Sequence, residues 1–303
     1  MNNLIPLMRR EWLQHRFAWA LLMLLPLALA VLPLAFGQIE IDGPMANHTG
    51  ADLATLLGMI SIVLSAAVIF LLVWVTSLFI TSSLPRRDHG DRSVEFWISL
   101  PTGHAESLAA PLLVHLVLVP AAALLVGLVG GYGISLLLVS RFVGIGEWFA
   151  LPWGTMLAAT LALAARVIVG LPLATLWLAP LILLAMLANA WFRRWGLPVL
   201  VVGLSLASAL LKGVFGQPML ALLLGALGRN AGLALAGAGG ESLSISDKTL
   251  PAQALQGLPA WAWHDLVAAL REAASPLFLG VLVVSAALFM ALVVWRQRGA
   301  SSN

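Results

Sequence analysis

Residues 17–36 read FAWALLMLLPLALAVLPLAF, twenty consecutive positions without a charge. As an α-helix this run is about 30 Å long, which is the thickness of a bilayer's hydrocarbon core. The rest of the chain is built the same way. Of its 303 residues, 61% are hydrophobic and 10% charged, and the mean hydropathy is +1.00. Soluble domains carry roughly 25% charged residues, so the composition is that of an integral membrane protein. Pro26 and Pro33 fall inside the run, and membrane helices tolerate such prolines because neighbouring helices satisfy the freed backbone groups.

Immediately upstream lies MNNLIPLMRREWLQHR, residues 1–16. Ile5, Met8 and Trp12 recur at helical spacing, and Arg9, Arg10, Gln14 and Arg16 supply a wet side. The pattern reads as an uncleaved helix lying at the membrane surface, with Arg9, Arg10 and Trp12 as its interfacial residues. The plainer alternative is an irregular basic tail that sets topology. The apolar run after it is longer than the 7–15 residues of a signal h-region.

Downstream, residues 37–52 carry Glu40, Asp42 and Asp52 and neither lysine nor arginine, the pattern of a non-cytoplasmic loop. Five further spans follow at about 56–81, 108–139, 170–191, 196–212 and 276–295. Gly127 and Gly131 in the third form a small-xxx-small pair that lets another helix approach closely. Residues 154–191 exceed one span, so a short outer-leaflet helix around 155–168 is expected before the fourth. Arg166 would then snorkel at the outer interface or, alternatively, face the bundle interior. His115 reads as a packed polar residue rather than a ligand, and Arg166 and His115 are the two candidate intramembrane polar positions. Residues 212–275 read as a large outer segment with interfacial helices, Trp261 and Trp263 lying at headgroup level.

Charge placement orients the spans. With both termini inside, the inner side holds Arg9, Arg10, Arg16, Arg86, Arg87, Arg92, Arg193, Arg194, Arg296 and Arg298. The outer loops hold only Arg141, Lys212, Arg229, Lys248 and Arg271. Ten against five supports six spans with cytoplasmic ends.

The longest polar passage is 84–106, LPRRDHGDRSVEFWISLPTGHAE, between the second and third spans. Its residues 93–100 make about two helical turns, with Val94, Trp97 and Ile98 on one face and Phe96 and Leu100 beside it. Aromatics next to arginines are the usual anchors of protein interfaces. Seating in the lipid headgroups is the other use of Phe96 and Trp97.

Several chemistries are excluded. The chain has no cysteine, hence no disulfide or thiolate. It has no GxxxxGK[ST] phosphate loop, no HExxH and no G-x-S-x-G elbow. Its basic residues are scattered among lipid-length runs and make no nucleic-acid patch. The acidic residues read as confined to loops, leaving no intramembrane acid pair for an ion relay. Movement of a substrate would therefore draw its energy from a partner.

Six spans, an N-terminal interfacial helix and an inner loop reading D-R-S-V-E-F-W-I-S-L-P at 91–101 together resemble permeases of the ABC type-2 exporter family. The topology covers essentially the whole chain and the motif eleven residues; Ala109 and Ala110 stand where relatives often carry a lysine. The resemblance implies an all-α membrane protein of six transmembrane helices with a cytoplasmic coupling helix between spans two and three. It also implies re-entrant or interfacial outer helices before span six. The implied activity is export across the cytoplasmic (inner) membrane, as a dimer with a second copy and with two copies of a separate cytosolic ATPase. ATP and Mg would be bound by that ATPase and no cofactor by this chain, which is then not itself an enzyme. The implied ATPase contacts are Arg86, Arg87, Asp88, Asp91, Arg92, Glu95, Phe96 and Trp97. Two other classes remain: a non-transporting scaffold that recruits a partner through the same loop, and an intramembrane enzyme using His115, Arg166 or His264.

Overall fold

The structure, a computed structural model, describes residues 4–37, 50–90, 103–240 and 251–301. Every regular element among the described residues is helical. In chain order they are α1 (Leu4–Phe36), α2 (Gly50–Gly90), α3 (His104–Leu113), a π-helical turn (Val114–Leu118) and α4 (Val119–Phe142). There follow α5 (Ile145–Phe149), α6 (Trp153–Phe192), a 3-10 turn (Arg193–Trp195), α7 (Gly196–Phe215), α8 (Met219–Leu235), α9 (Pro251–Glu272) and α10 (Pro276–Ser301). Among the described residues, six stretches are long and apolar enough to cross a membrane: α1, α2, α3 through α4, α6, α7 and α10. This is the expected result of such a composition, because a helix satisfies its own backbone where no water is available. The chain is an all-α, multi-pass membrane protein.

The central contact is between α2 and α4, and small residues create it. A Cβ added to Gly127 would lie 2.7 Å from the Cα of Ala66, and one added to Gly131 would lie 2.7 Å from the Cα of Ile62. The two backbones thus touch where the glycines are. The small-xxx-small pair is used inside the chain, so it is not available for a contact between copies.

Two apolar clusters mark the ends of the bundle. Leu84, Leu108, Leu116, Met186 and Leu292 are buried together, next in sequence to Arg86, Arg87, Arg193 and Arg296, and define an arginine-rich end. Ala54, Leu57, Val139, Leu151, Met156 and Leu255 form the cluster at the opposite end. There Arg141 donates to the carbonyls of Leu34 and, at 2.6 Å, of Gly37, tying the end of α1 to the end of α4. Phe17, Leu21, Leu29, Val129, Leu161 and Val283 expose apolar surface outward, as expected of helices whose solvent is hydrocarbon.

Three elements differ from the sequence reading. No separate surface helix precedes the first span: α1 runs unbroken for 33 residues, since between Arg9 and Pro26 nothing interrupts helical backbone. Residues 155–168 are likewise not a separate outer helix, for α6 is one helix of 40 residues through both Pro172 and Pro180. The third concerns the fifth crossing. α7 has the length of a span, yet Gly196 is its one buried residue, whereas α8 buries Leu227, Asn230, Ala231 and Ala234. Leu227, Ala231 and Ala234 pack with Trp177 of α6 and Phe278 of α10. Part of the segment read as an outer loop therefore belongs to the bundle.

Candidate functional site

The polar stretch 84–106 leaves the bundle from the end of α2. At 41 residues α2 is about 61 Å long, roughly twice the hydrocarbon thickness, so it extends well past it. Arg86, Arg87 and Asp88 fall in its last turns. Asp91, Arg92, Glu95, Phe96 and Trp97 lie outside the described residues. The stretch resumes at Gly103, which precedes α3. Arg9, Arg10 and Trp12 sit in the first turns of α1, Arg9 and Trp12 exposed and Arg10 half-buried.

Arg166 is neither exposed nor snorkelling. It lies about 40 Å along α6 from Arg193, near the opposite end of the bundle, as its position in the sequence suggests. Its side chain nevertheless turns inward and is 2% exposed, because partners await it there. Nε donates to Asp265 Oδ2 at 2.9 Å and Nη2 reaches the same oxygen at 2.8 Å. Nη1 donates to the carbonyl of Ala234 at 2.6 Å and Nη2 to that of Leu233 at 3.1 Å. Both carbonyls belong to the last turn of α8, where helix carbonyls lack internal partners and favour a cation.

Asp265 is held as completely from its other side. Gly237 N–H donates to Oδ2 at 3.0 Å and Gly239 N–H to Oδ1 at 2.7 Å. Gly237 turns the chain with φ +91, a conformation other residues rarely adopt. The glycine-rich run after α8 is thus a backbone cradle for a carboxylate. Gly170, one turn from Arg166, allows α8 to come close: a Cβ there would collide with the Ala234 carbonyl oxygen. The pair is saturated, with no ligand atom left over, and its chemistry is that of a clamp joining α6, α8 and α9.

His115 heads a different kind of cluster at the arginine-rich end. It sits in the π-helical turn, is fully buried, and neither ring nitrogen makes a hydrogen bond. Nε2 lies 3.5 Å from Oε2 of Glu11, itself 2% exposed. The His15 ring packs edge-on to the His115 ring at 5.5 Å, and Trp19 lies against it at 5.8 Å. Glu11, His15 and His115 each offer one ligand atom, all within 4.8 Å of one another. Glu11 corrects the expectation that acids are confined to loops: it is an acid buried within a helix that continues into a span.

Arg166 and His115 therefore do not form one intramembrane site but head two separate clusters. His264, the third candidate for catalysis, is exposed. Sequence reasoning missed Glu11, His15 and Asp265. Glu11 and His15 carried a signal, since positions i and i+4 share a helix face; Asp265, 99 residues from Arg166, carried none. Comparison with protein-family models, with curated proteins and with solved structures found no match.

Proposed function

We propose that the chain is the permease subunit of an ABC-type exporter, driven by a separate cytosolic ATPase that grips the 84–106 loop. The observation that carries this reading is the packing of the two stems of that loop. Leu84 leads into it and Leu108 follows it, and both are buried in one cluster with Met186 of α6 and Leu292 of α10. Close-packed interiors transmit displacement rather than absorbing it. A push on the loop would thus reach α2, α3, α6 and α10 together, as a coupling element requires. The charge asymmetry supports a cytoplasmic side for the loop and both termini. In this reading nucleotide hydrolysis, with its ATP and Mg, belongs to the partner, in keeping with a chain that carries no phosphate loop.

In this reading two copies of the chain and two copies of the ATPase make the working unit in the cytoplasmic (inner) membrane. Spans composed mainly of Leu, Ala, Val and Gly suit an amphipathic or lipid-like cargo. The test is reconstitution of the chain with its ATPase in liposomes carrying a fluorescent lipid. Nucleotide-dependent movement of that lipid, lost on Phe96→Ala with Trp97→Ala, is expected. ATPase binding without any movement would instead leave a scaffold that recruits the enzyme.

A further inference from the structure

The Glu11–His15–His115 cluster has a chemistry that the permease reading does not use. Two imidazoles and a carboxylate are the donor set that zinc and neighbouring divalent transition metals prefer. Glu11 and His15 are four residues apart on α1, which puts both side chains on one face of that helix. His115 comes to them from a π-helical turn, where Val119 N–H bonds to the Val114 carbonyl five residues back. Such turns insert one residue into a helix, re-aim the side chains around it and are frequent at functional sites.

The spacing of the three ligand atoms is compatible with a shared ion. At 3.5 Å, the separation of His115 Nε2 and Glu11 Oε2 is longer than the 2.7–3.2 Å typical of N–H···O bonds. Two ligands of one tetrahedral ion, each bound at about 2.0–2.2 Å, stand about 3.4 Å apart. The third ligand atom lies within 4.8 Å of the other two, a spacing that small side-chain rotations close. A fully buried imidazole with neither nitrogen hydrogen-bonded is unusual, since buried polar groups are normally satisfied.

We propose that Glu11, His15 and His115 hold one divalent transition-metal ion, Zn2+ fitting best, and that it fastens α1 to the junction of α3 and α4. The carboxylate and two neutral imidazoles supply three ligands. A fourth position stays open for water, and Trp19 packs against the His115 ring to fix its orientation. The ion closes a contact between the N-terminal helix and the start of the third crossing, beside the cluster that holds Leu84 and Leu108.

The test is Zn2+ titration, by calorimetry, into the chelator-treated full-length chain in detergent. One saturable equivalent per chain is expected, with Co2+ competing and giving the visible bands of a nitrogen and oxygen site. Glu11→Gln, His15→Asn and His115→Asn should each weaken binding at least about tenfold, while His264→Ala, outside the cluster, leaves it unchanged. Because His115 is fully buried, each variant is first checked for a single peak on size exclusion, and the variants that pass decide. Absence of saturable binding by the wild-type chain, or equal binding by the passing variants, would overturn the site.

Discussion

Arg166 and His115 are buried to the same degree, 2% and 0% exposed, yet their surroundings are opposites. The guanidinium meets a carboxylate and two helix-terminal carbonyls, and the carboxylate in turn meets two glycine N–H groups. The imidazole meets a carboxylate at 3.5 Å, too far for an ordinary hydrogen bond, and two aromatic rings, with neither nitrogen hydrogen-bonded. A fully satisfied buried network rigidifies what it joins, whereas a buried ring with neither nitrogen hydrogen-bonded, as at His115, calls for an explanation such as a bound ion. The first cluster explains how α6, α8 and α9 are locked at one end of the bundle. The second marks where the other end receives something.

The sharpest way to break this comparison is to remove one member of the saturated pair. Asp265→Ala leaves the Arg166 guanidinium buried without its counter-charge, a change that typically costs about 3–5 kcal/mol. Thermal unfolding in detergent should show a larger loss for it than for Glu11→Gln. The double variant Arg166→Met with Asp265→Leu should be less damaged than Asp265→Ala alone, because no unpaired charge remains. Equal damage in the single and double variants would mean that packing around the pair matters more than its charge.

Next in size come the glycines that make the close approaches. Gly170→Leu drives side chain into the Ala234 carbonyl that Arg166 uses, and Gly127→Leu into the backbone of α2 at Ala66. Overpacking of this kind costs about 1–3 kcal/mol, and more where backbone must move. Measured stability should fall for both, and Gly170→Leu should add little in an Asp265→Ala background, since both variants damage the same clamp.

The smallest effect belongs to the cluster around His115. Glu11→Gln in chelator-treated protein should change stability by no more than about 1 kcal/mol, because the isosteric amide keeps an oxygen acceptor in the same place and His115 loses no hydrogen bond. Added Zn2+ should then stabilise the wild-type chain and not this variant, as expected for a ligand that binds only the folded state. A large loss from Glu11→Gln without metal would make the two clusters alike and erase the contrast.

Much of the fold was legible in the sequence, for reasons visible in particular residues. Uncharged runs such as 17–36 and 276–295 announce spans because lipid imposes length and polarity directly. Gly127 and Gly131 announced a close helix contact, though not that α2 is the partner. What was not legible is continuity. Arg9, Arg10 and Arg16 suggested a surface helix distinct from the span, and the length of 154–191 suggested a short outer helix before the fourth crossing. Arginines mark a membrane edge and proline breaks or kinks a helix in water, but α1 runs through Arg9, Arg10 and Arg16, and α6 through Pro172 and Pro180, without a break. The polar sites were legible by half. Arg166 and His115 stood out as ionisable residues in apolar runs, while Asp265 and Glu11 lay in segments read as peripheral. Pairings that span 99 residues are decided by tertiary packing, which local pattern does not encode.

The proposed coupling role of the 84–106 loop is tested most directly by co-purification. The full-length chain is solubilised from its native membrane, captured by a terminal tag and analysed for bound ATPase. A nucleotide-binding subunit in about equal amount is expected with the wild-type chain, and clear depletion with Phe96→Ala and Trp97→Ala. An ATPase retained equally by both, or absent from the wild-type capture, would contradict the assignment of this loop as the handle of an ATP-driven exporter.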